Sequence, residues 1–226
     1  MKKWEDLPKF VKNDKVKIYY NILDKHRMEL VIKRWFDFLV ALVLTVILLP
    51  VLFVIGIMIK VDSKGSVIFR QARVTSYGKV FQICKFRTMT ADQTGNKVTV
   101  KDDPRITKVG KVLRKYRLDE LPQLFNVLSG DMSFVGTRPE VIKYVKCYTD
   151  EMKATLLLPA GITSFASIKY KDEEKLLTDA DKADEIYVKE ILPEKMKYNL
   201  EAIRNFSLVS ELNIMIATVK AVVSNK

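Results

Sequence analysis

Arg117–Glu140 reads R-L-D-E-L-P-Q-L-F-N-V-L-S-G-D-M-S-F-V-G-T-R-P-E. Leu121, Leu124, Phe125 and Leu128 fall at i, i+3, i+4 and i+7, the apolar stripe of an amphipathic helix. Pro122 fits only in a first turn, where its missing N–H costs nothing. The helix is therefore predicted to start near Asp119, a good N-cap residue, and to end at Ser129-Gly130. That start sets Asp119 and Glu120 side by side at a helix N-terminus, where phosphate is also favoured. Lys111, Arg114, Lys115 and Arg117 crowd in just before them. A carboxylate pair among cations can hold a divalent metal against a phosphate, or attack one. Acidic residues are also common in helix first turns for structural reasons alone, so this pattern does not by itself make a site.

Outward from this stretch, composition narrows the field. The 226 residues hold 39 Lys and Arg against 27 Asp and Glu, a formal net charge of +12. Such an excess suits nucleic acid, an anionic membrane surface or phosphate-rich substrates. No zinc-ligand spacing, RNP-type aromatic string or basic region with heptads is present, which argues against nucleic acid. Cys84 and Cys147 are too few for a disulfide framework, and the lone His26 argues against a histidine-based hydrolase or a zinc centre. There is no Walker loop and no G-x-G-x-x-G.

Phe38–Ile59 is a run of 22 residues without a charge. As one helix it would span a hydrocarbon layer of ~30 Å. Pro50 sits near its middle and predicts a bend. Lys33 and Arg34 precede the run while Lys60 and Lys64 follow it, so the positive-inside rule favours neither orientation. A re-entrant helix that enters and leaves by one face satisfies both observations. Asp37 is expected to pair with Lys33 or Arg34 in the headgroup zone. Residues 1–30, charged with scattered aromatics, read equally as an interfacial helix or a poorly ordered tail, and carry no cleavable signal pattern.

From Asp62 the pattern is that of a soluble domain. Ser66–Phe69 and Lys79–Phe86 read as strands joined at Tyr77-Gly78, and 90–104 as a loop. Arg105–Tyr116 reads as a helix with a cationic stripe beside an apolar one, suited equally to an anionic leaflet or to a solvated face. A further helix is predicted from Glu140 through Met152, then a polar insert from Lys169 to Asp184. Phe206–Val223 is an amphipathic helix for the core or the membrane surface. The fold class is α/β, mostly helical with a short β element. It divides into an extension (1–30), a membrane helix (31–61) and a catalytic domain (62–226).

The Arg117–Glu140 string, with Asp131 and Arg138-Pro139 closing it, resembles the signature of the bacterial sugar transferases, small monotopic phosphoglycosyl transferases. Lys85-Phe86-Arg87-Thr88-Met89 matches the family's K-F-[KR]-T-M string, and Leu158–Ala166 corresponds loosely to R-P-G-I-T-G-W-A-Q. The resemblance runs from about Val31 to Lys226. Leu49 stands where a serine often precedes the helix-breaking proline, Thr137 departs from G-P-R-P, and the N-G-R that often follows the third string is absent. The resemblance implies transfer of a phosphosugar from a UDP-sugar to polyprenyl (undecaprenyl) phosphate, with release of UMP. This would occur at the cytoplasmic face of the bacterial inner membrane and begin glycan assembly. It implies Asp119 as nucleophile and ligand of Mg²⁺ (or Mn²⁺), Glu120 as its support, and Lys85, Arg87, Thr88 and Arg138 on phosphates. Asn126 and Asp131 would orient the site, and Leu49-Pro50 would break the membrane helix. Two rivals remain: a membrane-anchored nucleotide-sugar hydrolase, and a non-catalytic scaffold. The sugar and the oligomeric state, a homo-oligomer included, stay open.

Overall fold

A computed structural model of the chain describes residues 1–90, 104–170 and 183–223. Its longest element answers the apolar run. After α1 (Asp14–Lys25), α2 runs from Arg27 to Asp62, 36 residues or about 54 Å of helix at 1.5 Å per residue. Pro50 lies inside it, and Leu49 and Pro50 both face outward; the helix runs through them without interruption, so the break expected at Leu49-Pro50 is not present in this element. Its most apolar window has a mean hydropathy of 3.2, so by length and composition it is able to cross a membrane. Lys33, Asp37, Ala41, Thr45, Ile55 and Ile59 make its buried stripe. The first half packs against Phe81, Leu124, Val127 and Met132, and the second half against Phe86 and Leu113. Both halves thus rest on one body, while Trp35, Val46, Ile47, Phe53, Val54 and Ile57 stay exposed.

Polar groups fix this contact. Lys33 pairs with Asp37 at 3.7 Å and with Glu211, and Ser133 Oγ donates to Asp37 at 2.7 Å. The expected Lys33–Asp37 pair is present, with Asp37 buried against the β element. Arg34 donates through Nη1 and Nη2 to the carbonyls of Val127 and Leu128, satisfying the last turn of a neighbouring helix.

Residues 1–25 are no loose tail. Asn13 accepts from the Val16 N–H at 3.0 Å and starts α1. Val16, Tyr19, Tyr20 and Leu23 then close a core with Leu157, Leu200, Ile203 and Phe206.

β1 (Ile68–Val74) and β2 (Val80–Phe86) form a hairpin in register from Ile68↔Phe86 to Val74↔Val80; β1 starts later and runs further than the strand expected at Ser66–Phe69, while β2 lies where it was expected. Tyr77 and Gly78 take the positive φ values of 59° and 76° that the turn requires. α3 covers Lys108–Lys115, shorter than predicted, with Thr107 as its N-cap. The Asp119 segment also differs from expectation. Leu118–Glu120 is a 3₁₀ turn, and regular α-helix α4 starts only at Gln123 and ends at Ser129. Pro122 is the cause: without an N–H it cannot bond the Leu118 carbonyl, which instead accepts from Leu121 N at 3.2 Å.

β3 (Met132–Val135) pairs in parallel with β4 (Ala160–Thr163). Gly136 and Gly161 touch across this pair; a Cβ on Gly161 would lie 2.2 Å from Gly136 N. The helix predicted over Glu140–Met152 shrinks to α5 (Ile142–Val145). Glu140 is drawn away from helical geometry because its carbonyl accepts from Val74 N, extending the pairing of β1. α6 (Phe165–Lys169) follows, then α7 (Ala183–Ile186), a π turn at Tyr187–Ile191, α8 (Leu192–Arg204) and α9 (Leu208–Val223). α9 packs Ile214 and Met215 on the β3 cluster but leaves Val209, Leu212, Ile216, Val219 and Val222 exposed. Most of the predicted 90–104 loop and most of the Lys169–Asp184 insert lie outside the described residues.

Candidate functional site

Three backbone segments converge below α2. The end of β2 carries Lys85, the 3₁₀ turn carries Asp119 and Glu120, and the segment after β3 carries Arg138. Arg117, in left-handed conformation at φ 56°, makes the sharp exit from α3 that lays the turn against β2. Asn126 holds it there: its side chain accepts from Cys84 N at 2.9 Å and donates to the Gln82 carbonyl at 2.8 Å.

Glu120 is the hub. Lys85 Nζ donates to its Oε1 at 3.0 Å, Arg138 Nη2 to Oε1 at 2.7 Å and Arg138 Nη1 to Oε2 at 3.4 Å. Burial would raise the Glu120 carboxyl, but the Arg138 and Lys85 charges outweigh it and hold the group well below the ordinary 4.5. Asp119 next to it is under the opposite influence. It is 9% exposed, and its Oδ1 is buried without a hydrogen-bond partner. Burial raises its pKa, the Lys85 charge opposes that, and the Glu120 charge adds to the rise. Of two adjacent carboxylates, one is fully paired and the other keeps an oxygen free.

Other predicted residues are placed elsewhere. Asp131 accepts from Lys79 at 2.8 Å and from Ser129 Oγ at 3.0 Å. Lys79 precedes β2 and Lys85 is near its far end, so at ~3.3 Å per residue their backbones lie on the order of 20 Å apart. Asp131 is thus tied to the turn end of the hairpin and is not brought to the carboxylates. Arg87 turns back to α2: its Nη2 donates to the Ser63 carbonyl at 2.6 Å and to Ser63 Oγ at 3.0 Å. Its Nε and Nη1 are buried without a hydrogen-bond partner. The Thr88 carbonyl accepts from Thr107 N at 3.0 Å and fastens α3 to the strand end.

Sequence reasoning missed two neighbours. Arg73 donates to the Pro139 carbonyl at 3.2 Å and to Gln71 at 2.8 Å, and burial together with Arg138 lowers its pKa despite Glu140. It shares a sheet face with Lys85, a relation that the period-2 alternation of β1 carried. Gln123 is 1% exposed with both amide atoms unpartnered. It follows Asp119 by four residues, a helical spacing that was available to find it.

The profile of the family described as bacterial sugar transferase matches residues 28–225. The chain belongs to the bacterial sugar transferases. It is 37% identical over 198 residues to a UDP-glucose:undecaprenyl-phosphate glucose-1-phosphate transferase of Klebsiella pneumoniae, covering 85% of this chain and 40% of that protein. A protein of the same description from Escherichia coli strain K12 is 35% identical over 194 residues, covering 83% of this chain and 39% of that protein. A putative undecaprenyl-phosphate N-acetylgalactosaminyl 1-phosphate transferase of Bacillus subtilis strain 168 is 40% identical over 135 residues, 59% of this chain and 75% of that protein. The chain therefore spans about 40% of the length of the first two.

The family implies a divalent metal, and the residues fit one. Asp119 Oδ1 is a hard oxygen donor with no competing partner, and the adjacent Glu120 carboxylate, already accepting from Lys85 and Arg138, would add a shared oxygen. Among the described residues no group of three or more His, Cys, Asp or Glu gathers. A pair is what Mg²⁺ takes when substrate phosphates complete its shell.

Glu120→Gln is expected to lower the melting temperature at neutral pH. It leaves Lys85 and Arg138 facing each other across a buried amide, a loss of about 3–5 kcal/mol by analogy with broken buried pairs. Because the folded Glu120 pKa is depressed, its stabilisation is present above 4.5 and fades as pH falls through the folded value. The gap between the two proteins should narrow in acid. Thermal melts across pH measure it, and equal melting temperatures at pH 7 would refute the hub role.

Proposed function

We propose that this sugar transferase moves a phosphosugar from a UDP-sugar to polyprenyl phosphate and releases UMP, through an aspartyl intermediate. The observation that carries the reading is the free, buried Oδ1 of Asp119 beside a Glu120 held by Lys85 and Arg138. In the first step an Asp119 oxygen bonds the sugar-bearing phosphorus. The bond from that phosphorus to the bridging oxygen breaks, and UMP departs with the electron pair. In the second step an oxygen of polyprenyl phosphate bonds the same phosphorus, and the Asp119 carboxylate is expelled unchanged. Lys85 and Arg138 hold phosphate oxygens in both steps, while Glu120 fixes the aim of the two cations. Mg²⁺ or Mn²⁺ held by Asp119 and Glu120 would add the positive charge that a diphosphate calls for. Arg87 keeps two unpartnered nitrogens, Nε and Nη1, whose N–H groups would serve a phosphate if the strand end shifts, and Thr88 adds a hydroxyl there.

The exposed apolar face of α2 favours a lipid acceptor over water, and so a transferase over a hydrolase. The activities named for the relatives point the same way. Mixing the protein with a set of UDP-sugars and no lipid tests the first step. About one UMP per protein should appear, with multiple turnover only after polyprenyl phosphate is added. Steady UMP release without lipid would instead mean a hydrolase.

The same reading places α2 in the cytoplasmic leaflet of the inner membrane as a re-entrant element bent at Leu49-Pro50. The exposed apolar sides of α3 and α9 would lie at its surface. Support comes from both halves of α2 resting on one body. In a Cys84→Ser, Cys147→Ser background, Leu30→Cys and Lys64→Cys should both label only from the cytoplasmic side. Labelling from opposite sides would establish a full span, an outcome that Pro50→Leu should favour.

A further inference from the structure

Behind Arg138 lies a second buried ion cluster that the proposed steps leave unused. Glu140, two residues on, is 6% exposed, and its Oε1 accepts from the Tyr187 hydroxyl. Lys195 Nζ, also buried, donates to that same hydroxyl at 3.1 Å and lies 3.8 Å from Glu140 Oε1. Tyr187 belongs to an apolar core with Val74, Leu156, Ile191, Leu192 and Met196. The π turn that begins at Tyr187 makes the meeting possible. Its extra residue lets Tyr187 and Lys195, eight apart, face one way, much as residues seven apart do over about two turns of a regular helix.

Stability alone does not call for such a cluster. Apolar side chains of similar volume fill a core as well as a buried ion pair, or better, whereas the pair imposes one geometry. What it fixes here is the segment between β3 and α5, where residues 136–141 are neither helix nor strand. Upstream, Gly136 N donates to the Thr163 carbonyl at 3.0 Å, and the Thr137 carbonyl accepts from Gly161 N at 2.9 Å. Downstream, the Pro139 carbonyl accepts from Arg73 Nη1 at 3.2 Å and the Glu140 carbonyl from Val74 N at 3.0 Å. The Glu140 side chain adds an anchor from the π turn and α8, and its charge attracts Arg73, which Arg138 repels. Arg138 stands between the two sets of bonds. Thr137 before it leaves the backbone a rotation that a proline would lock, so the downstream anchor matters more.

We infer that Glu140, clamped by Tyr187 and Lys195, is the positioning residue for Arg138 and sets the angle at which its guanidinium meets Glu120 and the donor diphosphate. The inference rests on the proposed role of Arg138 on phosphate and adds what aims it. Glu140 acts from behind and takes no part in making or breaking bonds.

The test uses the full chain in lipid nanodiscs with Mg²⁺ and the UDP-sugar that gives the unaltered protein its largest UMP burst without lipid acceptor. Glu140→Leu, Tyr187→Phe and Lys195→Met are combined, so that no member of the cluster is left buried without its partner. This triple variant should melt at or above the temperature of the unaltered protein, yet its burst should slow by about tenfold or more. The loss should fall on the same parameter, maximal rate or half-saturating UDP-sugar, that Arg138→Ala moves. Added to Arg138→Ala, the triple change should cost no more than about twofold further, because the group it aims is already gone. A normal burst in the triple variant, or its full loss repeated on top of Arg138→Ala, would overturn the positioning role. If the triple variant melts lower, Tyr187→Phe alone decides. It keeps the ring 4.5 Å from that of Tyr144, removes one hydroxyl, and should slow the burst about threefold on the same parameter. An unchanged burst there would count the cluster as structural only. A normal burst in Arg138→Ala would refute Arg138 on phosphate and the inference with it, whereas a slow Arg138→Ala beside a normal triple variant refutes the positioning role alone.

Discussion

Asp119→Asn is expected to abolish transfer, by a factor on the order of a thousand or more, while making the protein harder to unfold. The two effects have one origin. Asp119 is buried with one oxygen unpartnered, and its pKa lies above the ordinary 3.8 because burial penalises the charge more than Lys85 rewards it. A carboxyl whose folded pKa is raised stabilises the fold as pH falls through that range and opposes folding once ionised. At neutral pH, removing the charge therefore raises the melting temperature, by a few degrees for a chain of this size. The asparagine keeps the shape but offers no oxygen able to bond phosphorus and leave again. Radiolabelled UDP-sugar, quenched after mixing, should mark the peptide holding Asp119 in the unaltered protein and nothing in the variant. Label on a different residue, or a rate law requiring both substrates bound together with Asp119→Asn still active, would leave direct transfer in place of the two-step path. Glu120→Gln moves stability the other way, so adjacent acids are told apart by the sign of a melting shift.

The sequence revealed this pair more readily than the framework that holds it. Asp119, Glu120, Lys85 and Arg138 were legible because a run of specific residues at fixed spacing leaves little room for coincidence, and three of them join in one ion cluster. The long apolar helix and the hairpin turn at Tyr77-Gly78 were legible from charge depletion and alternation. β3 was not, because all four of its residues are buried, the polar Ser133 included, so the strand lacks the alternation of buried and exposed sides that marks one in sequence. The helix expected over Glu140–Met152 shrinks because Val141, Ile142, Val145 and Thr149 are β-branched and weak helix formers, and because the Glu140 carbonyl is taken by Val74 N. Asp131 shows the limit of motif reasoning. It lies in the same string as Asp119, yet Gly130, at φ 85°, ends α4 and turns the chain toward Lys79. The packing of α1 was hidden for a related reason: its buried residues find their partners more than a hundred residues away.

Stripping divalent cations should lower turnover by on the order of a thousandfold, and restoring Mg²⁺ should stabilise the protein through Asp119. Lys85 and Arg138 balance Asp119 and Glu120, so these four residues offer an incoming diphosphate no net positive charge. Both Glu120 oxygens already accept from Arg138, and Oε1 from Lys85 as well, whereas Asp119 Oδ1 accepts from nothing. A cation would gain most at Asp119 and would reverse the penalty that burial places on its charge. Binding to the folded state alone stabilises it by about 2.7 kcal/mol at a hundred times Kd. For a chain of this length that is a rise of roughly 5–10 °C in melting temperature. The shift is read without substrate and so does not depend on turnover. Asp119→Asn should start from a higher melting temperature and show little further rise with Mg²⁺. Full activity of dialysed protein in excess chelator would count decisively against the metal. An undiminished Mg²⁺ shift in Asp119→Asn would place the cation somewhere other than this carboxylate.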